Sequence, residues 1–547
     1  MTLHPQYVLD IPEETRKVAQ AAFRKGNRTM QMRDELGTVF NDEQFRDLFP
    51  SVGQTAENPW RLALVTVMQF AENLTDRQAA DAVRGRIDWK YALSLELTDE
   101  GFDFSVLSEF RSRLVTHKAE ARLFEEMLSG FQERGLLKTR GKQRTDSTHI
   151  LGQVRELNRL EFVGETVRAT LNELARIAPQ WLAEIVPPEW FDRYGRPFSE
   201  YRLPQKDSER LALGDQIGKD GVLLLTSLYA LDAPANLRQL EQVEILRRAW
   251  VLQFYQEDDQ TRWRKIGNLP PGERILMSPY DKDVRVSKKR NTTWVGYKVH
   301  LTETCDEETA HIITNVKTTL ATVADTEVVD AIHSALQEKN QLPDQHLMDN
   351  GYTSANAYVH CQQVYGVELF APARPDVSWQ AQTPGAFQRT DFQIDFHKQT
   401  VVCPQGHTTH RWSERLGKRG KPTIQANFSA ATCRTCPVRE RCTTSPNGRQ
   451  LTFSPQAQFD ALQFARDRQV TDAFKQTYKK RAGIEGSISQ AVSVLGMRRT
   501  RYRGLDKVHL QHLVTAAAMN LMRVLDWLAG KKHSTTRLSA FARLAVS

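Results

Sequence analysis

Long apolar runs, cysteines and sequence repeats are all scarce in this 547-residue chain. The longest apolar runs, residues 222–231 and 516–525, fall short of the roughly 20 residues a spanning helix needs. The second also carries Arg523. The start, Met1-Thr2-Leu3-His4-Pro5, leads into a charged stretch with no apolar signal core, so export is not expected. Six cysteines in a chain of this size rule against a disulfide scaffold, and a cytoplasmic protein with reduced thiols is the expectation. Without internal repeats or low-complexity tracts, solenoid and fibrous classes drop out as well.

What is present describes a globular protein: 26% charged and 40% hydrophobic residues. The length exceeds one ordinary core, so several domains are expected. Lys and Arg outnumber Asp and Glu by 74 to 66, a net charge of +8. That excess favours a polyanionic partner, the more so because the cations cluster in the last quarter of the chain.

Residues 1–138 read as an all-α N-terminal domain. Within it Thr75 is placed to cap a restarting helix, and Ser105 and Ser108 compete to cap a later one. Such helices suit either a helix-turn-helix reader or a bundle for packing and dimerisation. The pattern then turns β-branched at Thr145-Asp146-Ser147-Thr148, a strand after a basic turn. Residues 152–280 are helical. Two further strands follow, in 295–301 with strict alternation and in 312–316, and Asp325 is placed to cap a helix over 328–336. Met348-Asp349-Asn350-Gly351 closes a short buried strand. Strand, strand, strand, helix, strand with embedded insertions is a mixed α/β fold. Residues 139–530 form this domain, 375–455 are a cysteine-rich, loop-like insertion, and 531–547 a basic tail.

Near the C-terminus Tyr478, Arg481 and Glu485 follow at steps of three and four, which stacks them on one helix face. Two isolated strand aspartates, Asp146 and Asp349, and a late helical glutamate are the parts of a metal-dependent phosphoryl-transfer site. Magnesium takes hard oxygen ligands, and two ions roughly 4 Å apart clamp both oxygens of an in-line displacement. Spacing alone does not choose among the 66 acids, Asp281, Asp283 and Asp325 being available competitors.

The segments Thr145-Asp146-Ser147-Thr148, Trp294-Val295-Gly296-Tyr297-Lys298-Val299-His300-Leu301, Met348-Asp349-Asn350-Gly351-Tyr352, Tyr478-x-x-Arg481-x-x-x-Glu485-Gly486 and Gly496-Met497-Arg498-Arg499-Thr500-Arg501-Tyr502-Arg503-Gly504, in this order, resemble Asp-Asp-Glu transposases of bacterial insertion sequences. The resemblance runs from about residue 40 to 528. It implies a ribonuclease H-like catalytic core with Asp146, Asp349 and Glu485 as ligands of Mg²⁺ or Mn²⁺. It implies DNA cleavage by water at the element ends, then strand transfer by the freed 3′-hydroxyl. Tyr478 and Arg481 would contact DNA phosphate or position Glu485, and a homo-oligomer would form on DNA. Related transposases often carry a lysine seven residues beyond the glutamate; here Val492 stands there, which leaves one DNA contact unassigned. A nuclease of the same fold that cleaves without joining, and a DNA-binding descendant without catalysis, are the rivals.

Two more clusters carry chemistry. Cys403, Cys433, Cys436 and Cys442, with His407 or His410 as alternates, suit tetrahedral structural zinc. Lys418, Arg419, Lys421, Arg434, Arg439 and Arg441 flank them, while Cys305 and Cys361 read as packing residues. Around Glu485, the cations Lys479, Lys480, Arg498, Arg499, Arg501, Arg503 and Lys507, with Tyr502 interleaved, would hold a phosphate backbone without reading sequence.

Overall fold

The computed structural model describes residues 2–5, 10–53, 55–258, 260–417, 420–531, 541 and 544. The tail at 531–547 lies almost wholly outside them, as do Lys418 and Arg419.

A six-stranded mixed sheet organises the chain. Its strands are β1 (Lys142–Leu151), β2 (Arg285–Lys289), β3 (Thr292–Thr304), β4 (Ile313–Leu320), β5 (Gln345–Leu347) and β6 (Glu368–Phe370). β1 is central, antiparallel to β3 on one edge and parallel to β5 on the other. The long β3 also pairs antiparallel with β2 and β4, and β6 lies parallel beyond β5. The short outer strands β2 and β6 were not among the expected elements.

Alternation along β3 sorts its side chains, yet both sets are buried. Tyr297, Val299 and Leu301 join the main apolar cluster, while His300 and Thr302 are equally enclosed. A sheet covered on both faces does this. One face carries α3 (Gly483–Ser493) and α4 (Leu505–Leu528), and Asn520 of α4 exchanges hydrogen bonds with the backbone of Ile313. The other carries α2 (Val329–Glu338), whose His333 bonds His346 of β5, which in turn bonds Thr145 of β1. Asp325 does not cap α2. Val328 holds that position, and the Asp325 carboxylate turns to Lys298 instead.

Thr75 caps its helix through a reciprocal bond pair with Gln78. Ser105 does not cap: it lies inside the helix Ser105–Thr116, and its N–H donates to the Asp103 carboxylate. The N-terminal helices, among them α1 (Pro59–Ala71), share one continuous apolar cluster with α4 and β3. The helices between Arg159 and Gln253 enclose a separate cluster that includes Val163, Ile217, Leu224 and Trp250, but the stretch 152–280 is not wholly helical: Phe254–Glu257 pairs antiparallel with Gln260–Trp263.

The cysteine-bearing segment is not loop-like. Gln393–Asp395 pairs with Thr400–Val402, and Arg411–Leu416, Pro422–Asn427 and Gln450–Phe453 form a three-stranded sheet. Its inward apolar set, Phe392, Val401, Ile424, Phe428, Leu451 and Phe453, is small and widely spaced among polar residues, which hides it from a composition reading.

Candidate active site

Asp146 sits midway along β1, where β5 has already ended, so the strand edge opens beside it. One Asp146 oxygen accepts the N–H of Ser147 at 2.7 Å. The other accepts from Arg481 at 2.9 Å, across a separation of 335 residues. The second terminal nitrogen of the same guanidinium donates to Glu485 at 2.9 Å. A single planar cation therefore lies between the Asp146 and Glu485 carboxylates. Asp146 and Arg481 are largely enclosed, but the Glu485 side chain is 62% exposed.

Asp349 follows β5, and its carboxylate accepts the Gly351 N–H at 2.8 Å, which fixes the turn. Burial and the negative charge of Asp146 push its carboxyl above the ordinary aspartate value. The sheet thus brings Asp146 and Asp349 close enough to repel, with Arg481 as their local counter-charge.

Glu303 fixes the approach of α3. This fully enclosed carboxylate accepts from Arg144 at 2.7 Å, from Ser487 of α3 at 2.5 Å and from Arg523 of α4 at 2.7 Å. Burial alone would raise its carboxyl, but Arg523 and Arg144 hold it below its ordinary value. Arg144 also donates to the carbonyl of Lys480. A side chain at Gly483 would meet the Arg144 guanidinium at 2.1 Å, so glycine permits this close approach of helix to strand. Nothing lies within 4 Å of where a Gly486 side chain would begin. The Tyr478 ring stacks on Phe474, which stacks on Phe370 of β6, and the Arg481 guanidinium lies 5.9 Å from the Tyr478 ring centre. Burial pushes the Tyr478 phenol up to about 12.

Asp325 is a fourth carboxylate of the site. Its Oδ1 accepts from Lys298 at 2.9 Å and from Ser147 at 3.5 Å. The place a Gly351 side chain would take lies 2.8 Å from an Asp349 oxygen and 3.2 Å from an Asp325 oxygen. The pattern at Asp325-Thr326-Glu327 reads as a helix cap, which conceals this role. The available signal was Lys298, a cation on an enclosed strand that needs an acid opposite it.

The C-terminal arginines are occupied by the protein itself. Arg498 donates to Thr148 at 3.0 Å and to the carbonyl of His149; Arg501 donates to Asn73 and to the carbonyl of Leu74 and lies over Phe70. Arg503 donates to the carbonyl of Gln153 and packs against Tyr280. Arg499 takes part through its backbone, bridged to Leu151. These residues fasten the segment after α3 to the open edge of β1 and to the N-terminal helices.

Cys403, Cys433, Cys436 and Cys442 line one cavity of about 30 Å³ together with His407. The Arg449 N–H donates to the Cys433 sulfur at 3.4 Å, and burial pushes the Cys442 thiol up to about 11. His410 is not among the lining residues. Cys305 and Cys361 are buried elsewhere, and all six thiols are free. Among the described residues, no three of His, Cys, Asp or Glu are grouped so as to hold a metal ion, and no helix is long and apolar enough to cross a membrane.

Residues 402–525 match a family model described as a transposase DDE domain, and residues 18–113 match a transposase domain model, DUF772. The first span contains the four clustered cysteines, Tyr478, Arg481 and Glu485; Asp146 and Asp349 lie outside both. Neither a curated protein nor a solved structure matches the chain.

Proposed function

We propose, from the match of these two spans to transposase family models, that this chain is an insertion-sequence transposase that cuts DNA at the element ends and joins the freed 3′-hydroxyl to target DNA. DNA is the partner the family implies. The observation that carries the reading is the bridge of Arg481 between Asp146 and Glu485, with Asp349 raised by its neighbour. Arg481 links two acids from distant parts of the sequence and the third feels the charge of Asp146, which supports a cation site at this strand edge.

The donor set fits Mg²⁺ or Mn²⁺. The oxygens are hard, the Asp146–Asp349 repulsion favours a dication, and Arg481 already stands as a positive group between two of the acids. When bound, the metal supplies charge neutralisation at the phosphate and acidifies water. Asp146 within β1 and Asp349 in the turn after β5 would hold it. Glu485, exposed at its carboxylate, would supply a further oxygen, and the Arg481 fork matches a phosphate. Glu303 acts through α3 as a positioning residue.

A ribonuclease H-like core is supported by the spatial order β4, β3, β1, β5, β6, an antiparallel meander continued by parallel strands. Within it we assign 152–280 and 375–455 as insertions and 1–138 as the part that handles element ends or dimerises. Structural zinc on Cys403, Cys433, Cys436 and Cys442 is supported by the shared lining of one cavity by four soft donors. One zinc per chain by metal analysis, absent after Cys433→Ser with Cys436→Ser, is the expected result; a metal-free native protein refutes it.

The deciding experiment is Mg²⁺- or Mn²⁺-dependent cleavage and joining of DNA bearing the element's ends, by the native chain and by Asp349→Ala. Both activities should vanish in the variant. Cleavage without joining in the native chain would make it a nuclease, and equal activity in both proteins would remove Asp349 from the site.

A further inference from the structure

Positive charge near the carboxylates is concentrated where the sequence motifs do not point. β2 and β3 are joined by a two-residue turn, Arg290-Asn291, with Arg290 in the left-handed region (φ 56°). Lys288, Lys289 and Arg290 at this tip are all exposed. Among the described residues none of the three forms an ion pair, whereas Arg498, Arg501 and Arg503 are bonded to protein groups.

Below the tip is a notch of about 100 Å³ lined by Ser147, Thr148, His149, Lys289, Trp294 and Lys298. It shares walls with the carboxylate site. Ser147 directly follows Asp146 and bonds it, and Lys298 is steadied by Asp325 at the rim of the Asp349 turn. Trp294 is 3% exposed and closes the floor with His149, their rings 5.2 Å apart. Thr148 accepts from Arg498, which leaves its own hydroxyl proton to donate outward. Burial, Arg498 and Lys289 all lower the His149 pKa, as a field of positive sign requires.

We infer that the β2–β3 hairpin tip and this notch form a grip for the DNA backbone, which seats phosphates of the strand next to the one held at the carboxylates. The ammonium groups of Lys289 and Lys298 and two hydroxyls around a small recess suit a phosphodiester oxygen pair, and the two remaining tip cations, Lys288 and Arg290, suit the phosphates that follow. The enclosed Trp294 offers no face to a base, so the grip holds backbone without reading sequence. The inference rests on the proposed action on DNA.

The test compares the native chain with Lys288→Ala/Lys289→Ala/Arg290→Asn, the asparagine chosen because it tolerates the left-handed turn. A charge-matched control replaces the exposed Lys398, Arg411 and Arg415 of the cysteine-bearing segment by Ala. Binding of a random-sequence duplex is measured in EDTA across a salt series, with thermal melts to check folding. The tip variant should lose affinity about 10- to 100-fold at low salt, and its log K against log salt slope should flatten by about 2–3. The control should change little. A tip variant with native affinity and slope, or a control that loses as much, overturns the grip while leaving the transposase reading intact. A native chain that binds no duplex overturns both.

Discussion

At Asp349 the demands of chemistry and stability oppose each other. Its carboxyl is raised because folding buries it beside Asp146. A carboxyl whose folded pKa lies above its unfolded value favours the folded state most below the unfolded pKa, ordinarily about 3.9, and loses that advantage as pH rises through the folded pKa. At neutral pH the charged group is therefore a burden. Asp349→Asn should abolish cleavage yet raise the melting temperature at pH 7, with the gain gone near pH 3; scanning calorimetry across that range checks it. The two glycines flanking Glu485 make a second residue-scale contrast. Gly483→Ala should destabilise by about 1–3 kcal/mol, because its new carbon would overlap the Arg144 guanidinium. Gly486→Ala, with open space around it, should stabilise the helix by about 0.5–1 kcal/mol in denaturant unfolding. A sequence shows both as helix weaknesses and does not show which has a neighbour. The same limit separates Asp325, read as a cap, from Asp325 paired to Lys298: the type of residue is legible, its partner across the sheet is not.

Among elements, the strands with clear alternation and the capped helix at Thr75 are legible because their signals are local. β2, β6 and the small cysteine-bearing sheets are not, being strands of three to six residues whose pairing, rather than composition, makes them strands. The join between α3 and the sheet depends on Glu303, whose two arginine partners come from β1 and α4. Glu303→Ala should cost about 3–5 kcal/mol in urea unfolding, since it strands two enclosed cations. In the native chain the Glu303 carboxyl is held low, so its stabilisation is present above the ordinary glutamate pKa and lost as pH falls through the depressed folded value. Acid unfolding of the native chain should therefore steepen below about pH 4, and the Ala variant should lack that component.

For the whole molecule, the change of character at residue 139 reads as a domain boundary, but apolar packing crosses it. Leu64, Phe110 and Phe124 belong to the same cluster as Val299, Leu513 and Met519. A chain beginning at residue 139 should consequently lose its near-ultraviolet circular dichroism and bind hydrophobic dyes, while the full chain does neither. Periodicity along a sequence finds the amphipathic helices on both sides of such a boundary and is silent on whether their apolar faces meet.

The central strand also sets a timetable. β1 leaves the ribosome early, yet its partners lie at β3, at β5 and, through Leu151, at Arg499. Glu485 and the Arg523 that neutralises Glu303 come later than β1 by more than half the chain. Under the proposed function, synthesis would therefore work as a safety catch: a chain halted before residue 485 holds at most two of the three proposed acids and lacks the bonds that α3 and α4 make to the sheet.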